Sequence, residues 1–296
     1  MLGKVPTIDS ASKVPAQQFQ FGDGGRAIFF SLDKSISLEP AGKPETFVFV
    51  ISGSGCTSMQ YFLPRYFRGL EGESGPLRIF ILQKRFIEER TWSRTSGCSR
   101  EFVKADHPSR WISDQTEFIH AQLDLAQRNH ASPQRIAIVG ISEGGDIVPV
   151  LAQAIPGVTH AVIIANGGMN PLDAYRLQAE KHGFAAALSA LDDPPADPDA
   201  PMRAIGGRTW RYWAELRTLR HTENLLALSI PIWMAMGDAD RAVPVESALY
   251  LRDQFALHGK TNLTLKVYPG ADHGLQAGNF IYLLNFWHEL DLKMRK

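Results

Sequence analysis

The sequence predicts an α/β fold: a mostly parallel central sheet with helices on both faces and a helical cap insertion. Three observations predict it. Short apolar runs rich in β-branched residues alternate with stretches of helical periodicity, the pattern that βαβ crossovers produce. The strongest runs, Thr46–Ile51 and residues 136–139, 161–165 and 230–236, are apolar at nearly every position, as strands covered on both faces must be. The alternation breaks once, at residues 167–228, where helical segments surround a Pro/Asp-rich stretch at 191–201. At 296 residues the expected organisation is one domain, 1–296, with 167–228 inserted over one end of the sheet.

The elements follow in order. Residues 1–17 read as a loose lead-in, and 19–31 as an antiparallel hairpin around Gly22-Asp23-Gly24-Gly25. Residues 40–44 are a turn. Thr46–Ile51 is a buried strand that stops at Ser52-Gly53-Ser54-Gly55. Residues 59–70 carry a helical pattern that Pro64 bends. Leu77–Leu82 is the next strand, followed by a basic loop with Lys84, Arg85, Arg90, Arg94 and Arg100. Residues 111–128 form an amphipathic helix and 136–139 a strand; 147–155 is a helix with Pro149 in its first turns, and 161–165 a strand. Beyond the insertion, with helices at 172–182 and 207–228, come a strand at 230–236, a helix at 245–258, the strand Leu263–Tyr268 and a helix at 275–292.

Composition narrows the function. Lys+Arg and Asp+Glu both number 31, so nothing electrostatic favours nucleic acid or an anionic membrane surface as partner. The longest apolar runs fall far short of the roughly 20 residues needed to span a bilayer. The first 20 residues lack the apolar core of a signal peptide, which fits a cytoplasmic protein or an exported one whose leader has been removed. Two cysteines, Cys56 and Cys98, are too few for a disulfide scaffold and lack metal-site spacing. No metal or organic cofactor is expected, and the oligomeric state is left open.

The chemistry concentrates after the 136–139 run. Gly140-Ile-Ser142-Glu-Gly144 fits Gly-x-Ser-x-Gly, and Gly145 follows. Glycines there remove the Cβ atoms that would collide beside a strained serine at a strand-to-helix turn. Such a turn holds the Ser142 hydroxyl out beyond the sheet, beside unpaired N–H groups at a helix start. A serine hydroxyl needs a base to take its proton, and the base needs an anion to orient it. In parallel sheets these partners lie just beyond later strands. Two stretches qualify: Gly237-Asp238-Ala-Asp240-Arg-Ala-Val243-Pro244, and Pro269-Gly-Ala-Asp-His273-Gly274. Residue order alone leaves Asp238 and Asp240 both open as the acid.

At these residues the chain resembles the α/β-hydrolase superfamily, from about residue 47 to 290. The resemblance implies a triad of Ser142 as nucleophile, Asp240 as acid and His273 as general base; Asp240 occupies the family position because Gly237 lies three before it and Val243-Pro244 follow. It implies an oxyanion hole made by the N–H groups of Glu143 and Ser54, with Gly55 as the alternate donor and a substrate neighbour. Where the family carries His-Gly-x this chain has Ser52-Gly53-Ser54. The implied activity is that of a serine esterase on a small acyl substrate. The same triad also serves peptidases, amidases, thioesterases and acyltransferases, and the fold also hosts non-catalytic binders.

Trp210, Tyr212 and Trp213 in the insertion are candidates for the substrate pocket, or else for a small core of the insertion itself. Arg94 and Arg100 are candidates for a substrate carboxylate, or else solvated partners of Glu88, Glu89 and Glu101. In the superfamily the strands that precede Cys56 and Cys98 are neighbours, so the resemblance brings both cysteines to one rim and implies a disulfide. Two free thiols are the alternative.

Overall fold

The structure is a computed structural model and describes residues 14–35, 45–93, 97–130 and 132–294. The turn expected at 40–44, most of the lead-in and Arg94 lie outside the described residues.

An eight-stranded sheet organises the chain, built from β1 (Gln17–Gln20), β2 (Arg26–Lys34), β3 (Thr46–Ile51), β4 (Leu77–Leu82), β5 (Arg135–Ile141), β6 (His160–Ile164), β7 (Ile232–Gly237) and β8 (Leu263–Tyr268). Their order across the sheet is β1-β2-β4-β3-β5-β6-β7-β8. β2 runs antiparallel to β1 and to β4, and every pairing from β4 to β8 is parallel. All residues of β3 and β7 are buried, which is why their sequences lack period-two alternation.

Helices cover both faces. On one side α2 (Pro108–Arg128), α3 (Val148–Ala154) and α7 (Val245–Leu257) pack with Phe47, Phe49, Ile138 and Met234. On the other, the 59–70 segment and α8 (Tyr282–Lys293) pack with Val48, Val50, Val139 and Ala235. A short helix, α1 (Arg100–Ala105), precedes α2. Between β6 and β7 run α4 (Pro171–Lys181), two 3-10 segments (Ala185–Leu191 and Arg203–Ile205), α5 (Trp210–Thr218) and α6 (His221–Ala227).

Three elements differ from the sequence expectation. Residues 59–70 form two 3-10 turns, Met59–Tyr61 and Arg65–Phe67, because Pro64 has no N–H to continue a helix. The helical pattern at 207–228 divides into α5 and α6, parted at Leu219-Arg220. The pattern at 275–292 opens with a two-stranded hairpin, β9 (Gln276–Ala277) and β10 (Phe280–Ile281), before α8 begins. Gly278, with φ 56°, makes that turn.

Distant parts of the chain are tied by one buried carboxylate. Asp291 Oδ2, on α8, accepts the backbone N–H groups of Glu71, Gly72 and Glu73 at 2.8, 2.9 and 3.1 Å. Three donors converging on one oxygen offset the cost of burying it. Among the described residues no helix is long and apolar enough to cross a membrane.

Candidate active site

The site forms at the C-terminal rim of the parallel strands. β3 and β5 pair so that Ile51 lies beside Gly140, placing the loop after β3 against the turn after β5. Ser142 stands at that turn with φ 52°, a left-handed conformation that costs a non-glycine residue about 1–3 kcal/mol. The neighbouring glycines admit it. A Cβ on Gly53 would sit 3.1 Å from both Ile141 O and Ser142 Cβ, and one on Gly145 would meet Asn166 Cβ at 2.9 Å. From Ser142 to Ile147 the chain is a 3-10 segment, and Pro149 then falls in the first turn of α3, where a missing N–H is tolerated.

His273 arrives from the loop after β8, and its Nε2 lies 3.0 Å from Ser142 Oγ. Its Nδ1 lies 2.7 Å from Oδ2 of Asp240, in the loop after β7. The Asp240 side chain is fully buried, and its Oδ1 accepts the N–H groups of Ala242 and Val243 at 2.7 and 3.0 Å. The carboxylate thus holds the Nδ1–H tautomer and leaves Nε2 free to accept the serine proton. Asp238 has a different partner: its Oδ1 accepts the N–H of Gly270 at 2.6 Å and joins the loop after β7 to the loop after β8. Ala239 N–H donates to Ala271 O at 3.0 Å across the same seam.

A cavity of about 470 Å³ opens in front of Ser142 and His273. Its apolar wall is Met169, Pro171, Tyr175, Trp213 and Leu216, mostly from the β6–β7 segment. Ser54 and Glu143 both line it, and Glu143, second in its 3-10 segment, has a backbone N–H with no acceptor inside that segment.

Not every expected pocket residue reaches the cavity. Gly55 does not line it; with φ 84° and a buried position it turns the loop toward Cys56. Trp210 opens α5 and does not line it either, whereas Trp213 does, 3% exposed and packed against Tyr175 at a ring-centroid distance of 4.7 Å. Arg100 is exposed at the start of α1 and also lies off the cavity. Two other members of the basic loop are buried in ion pairs. Arg85 binds Asp23 and Asp114, and Lys84 binds Asp106 and Glu143.

Behind Ser142 lies a buried ionic cluster. Glu143 accepts hydrogen bonds from Lys84 Nζ at 2.6 Å, Tyr212 OH at 2.8 Å and Arg208 Nη2 at 2.9 Å. Asp106 accepts from Lys84 at 2.8 Å, from Trp111 Nε1 at 3.0 Å and from Arg208 Nη1. Burial by itself would raise the Glu143 carboxyl, but Arg208 and Lys84 outweigh it and hold the group well below the usual carboxylate range. Lys84 also lies 3.8 Å from the Trp111 ring centroid, and Arg208 4.5 Å from that of Tyr212. The two cations and two anions cancel. This cluster was invisible to motif reading, since its ion-paired partners lie 22 to 102 residues apart. The only signal was Lys84, a charge placed just past the end of a buried strand.

A smaller network braces the other side of the turn. Asn166 Nδ2 donates to Ser142 O at 2.8 Å and to Asp146 Oδ1 at 2.9 Å. Further out, Cys56 and Cys98 are joined by a disulfide with Cα atoms 5.7 Å apart, two residues beyond Ser54. Among the described residues no cluster of three or more His, Cys, Asp or Glu side chains is placed to hold a metal ion.

A mostly parallel eight-stranded sheet that brings a serine, a carboxylate and a histidine to one rim from successive strand-end loops defines an α/β hydrolase. Within that class, residues 95–290 match the prolyl oligopeptidase family, peptidase family S9, and the chain belongs to it. No curated protein matches the chain in sequence. Among solved structures it resembles Est1E from Butyrivibrio proteoclasticus (16% identity, TM-score 0.61), over 94% of this chain and 98% of that one. The esterase domain of a Rhodothermus marinus protein is similar (16%, TM-score 0.57), over 96% and 98% of the two chains. An acylaminoacyl peptidase from Pyrococcus horikoshii also matches (15%, TM-score 0.54), over 88% of this chain and only 38% of the peptidase. At such identities these likenesses establish the fold.

Proposed function

We propose that the chain is a serine hydrolase that cleaves a carboxylic ester through an acyl-Ser142 intermediate. One observation carries the reading: the hydrogen-bonded series Asp240–His273–Ser142, at 2.7 and 3.0 Å, opens on a largely apolar cavity. His273 Nε2 takes the Ser142 proton as Oγ attacks the ester carbonyl. The N–H groups of Glu143 and Ser54 receive the oxyanion, and His273 then delivers the proton to the departing alcohol. Water, deprotonated by the same imidazole, releases the acid. In this reading the 167–228 segment is a cap that sets substrate choice, and Trp213 supplies part of its apolar wall.

The match to esterases over nearly their whole length supports ester cleavage. The match of residues 95–290 to a peptidase family supports a second reading, in which the same residues cleave an acyl or peptide amide.

Fluorophosphonate labelling with peptide mapping tests the nucleophile. Modification is expected at Ser142, and Ser142→Ala and His273→Ala are each expected to lower kcat by several orders of magnitude. Label on any other serine overturns the assignment. Chromogenic esters of rising chain length, run beside acyl-amino-acid anilides, separate the two readings: turnover of anilides without esters makes the enzyme a peptidase.

A further inference from the structure

We infer that Asp146 is a specificity residue, recognising a cationic amine on the substrate that occupies the cavity before Ser142. The inference deepens the proposed acyl-transfer reading and rests on the same cavity.

Asp146 lies four residues beyond Ser142 in the same 3-10 segment, 8% exposed, and lines the cavity. One of its oxygens, Oδ1, is taken by Asn166 Nδ2 at 2.9 Å. Its other oxygen receives no hydrogen bond from the described residues and is not sealed from solvent, and the residue lines the cavity. A carboxyl group held in a largely apolar cavity with one oxygen unmatched costs free energy that a bound donor recovers.

The surrounding charges decide which donor fits. Glu143, on the same turn, repels a charge on Asp146, and Lys84 attracts it. Lys84 and Arg208 are both committed to Glu143 and Asp106, two cations against two anions. His221, from α6, has its Nε2 3.2 Å from Gly167 O and meets Asp146 only at its backbone, and His273 spends both ring nitrogens on Ser142 and Asp240. Of the two carboxyls in the described cavity lining, Glu143 is paired with two cations and Asp146 makes no ion pair, only a longer-range attraction to Lys84. Burial raises its titration to about 7, partly offset by Asn166, so the site ionises readily once an ammonium approaches. Ser54, Glu143, Asn166 and the ion-paired Arg208 also line the cavity, and its apolar part has Tyr175 and Trp213 on the α4–α5 side. The substrate that fits is an ester, or the corresponding amide, carrying an ammonium a few bonds from the scissile carbonyl on an otherwise apolar frame.

Calorimetric binding of 4-phenylbutylammonium and of neutral 4-phenylbutanol, to wild type and to Asp146→Asn, tests the inference. Kinetics on matched esters with and without a terminal ammonium, on the acyl side and on the alcohol side, accompany it. The wild type is expected to bind the ammonium at least tenfold more tightly than the alcohol. Asp146→Asn is expected to abolish that preference and to lower the cationic-to-neutral ratio of kcat/KM about tenfold in one ester pair. Equal binding of the two probes by wild type overturns the inference, and that measurement needs no folded variant. An unchanged preference in Asp146→Asn also overturns it, as does a loss common to both members of each ester pair, which would make Asp146 a brace of the Ser142 turn. Absence of ester and amide turnover together with absence of Ser142 labelling overturns the catalytic reading instead, while the calorimetric preference still decides recognition.

Discussion

Asp238 and Asp240 stand two residues apart on one loop and are held by different partners. Asp240 is enclosed, with one oxygen on two backbone N–H groups and the other on His273 Nδ1. Asp238 is exposed and spends Oδ1 on Gly270 N–H. On the proposed roles, Asp240→Asn presents the wrong tautomer to Ser142 and should lower kcat about 10³–10⁴-fold. Asp238→Asn keeps an acceptor for Gly270 and should cost less than about tenfold. Steady-state kinetics of the two variants check this, and comparable losses would show the loop acting as a unit. The sequence carried the order Ser, Asp, His and the glycine spacing of the turn, because both are local. It left the two aspartates open, since only the partner across the seam separates them. The resemblance to a known superfamily chose Asp240 before any geometry did.

At the scale of elements, the turn that presents Ser142 is joined to the β6–β7 segment by charge. Arg208 and Tyr212 reach Glu143 from that segment, while Lys84 reaches it from the loop after β4. Two cations facing two anions out of water are worth little net stability when complete, but breaking the set strands a buried charge, at a cost of about 3–5 kcal/mol. Arg208→Met should therefore lower the thermal midpoint markedly at pH 7. The sign with pH follows from Glu143. Its titration in the folded protein is depressed below the ordinary 4.5, so its stabilising contribution is present above that pH and fades as pH falls through the folded value. The gap between wild type and Arg208→Met should narrow as melts are taken from pH 7 down toward pH 3. A gap independent of pH would assign the loss to packing against Tyr212. None of this was legible from residue patterns, which read Lys84 and Arg85 only as members of a basic loop after β4. A charge run read alone looks solvated; the Lys84 and Arg85 side chains are buried because distant carboxylates converge on both and the Trp111 indole on Lys84.

For the whole molecule, the parallel sheet was legible because β3, β5, β6 and β7 are covered on both faces and so read as unbroken apolar runs. Two segments were misread as helix: at 59–70 the apolar spacing reflects burial of Met59, Leu63, Phe67 and Leu70 around Pro64, and at 275–281 Gly278 turns the chain back as a hairpin whose Phe280 and Ile281 are exposed. The Cys56–Cys98 bridge joins these scales, since it closes a long loop and stands beside Ser54. With a sequence separation of 42, the chain-entropy account assigns it about 4 kcal/mol. Cys56 is 2% exposed and packs with Ile87 and Phe102, so the bridge also fastens α1 and the loop after β4 to the loop that carries Ser54. Reduction should thus do two things. It should lower the thermal midpoint, and it should reduce kcat more than it raises KM, because a loosened Ser54 N–H is missed most where the oxyanion forms. Cys56→Ser with Cys98→Ser should reproduce both effects without reductant. Mass measurement after alkylation of unreduced, denatured protein decides whether the bridge exists in solution, and two alkylated cysteines would remove it. A reduced protein with a lower midpoint but unchanged kcat would confine the bridge to holding the rim together, leaving the position of Ser54 to its contact with the Ser142 turn through Gly53.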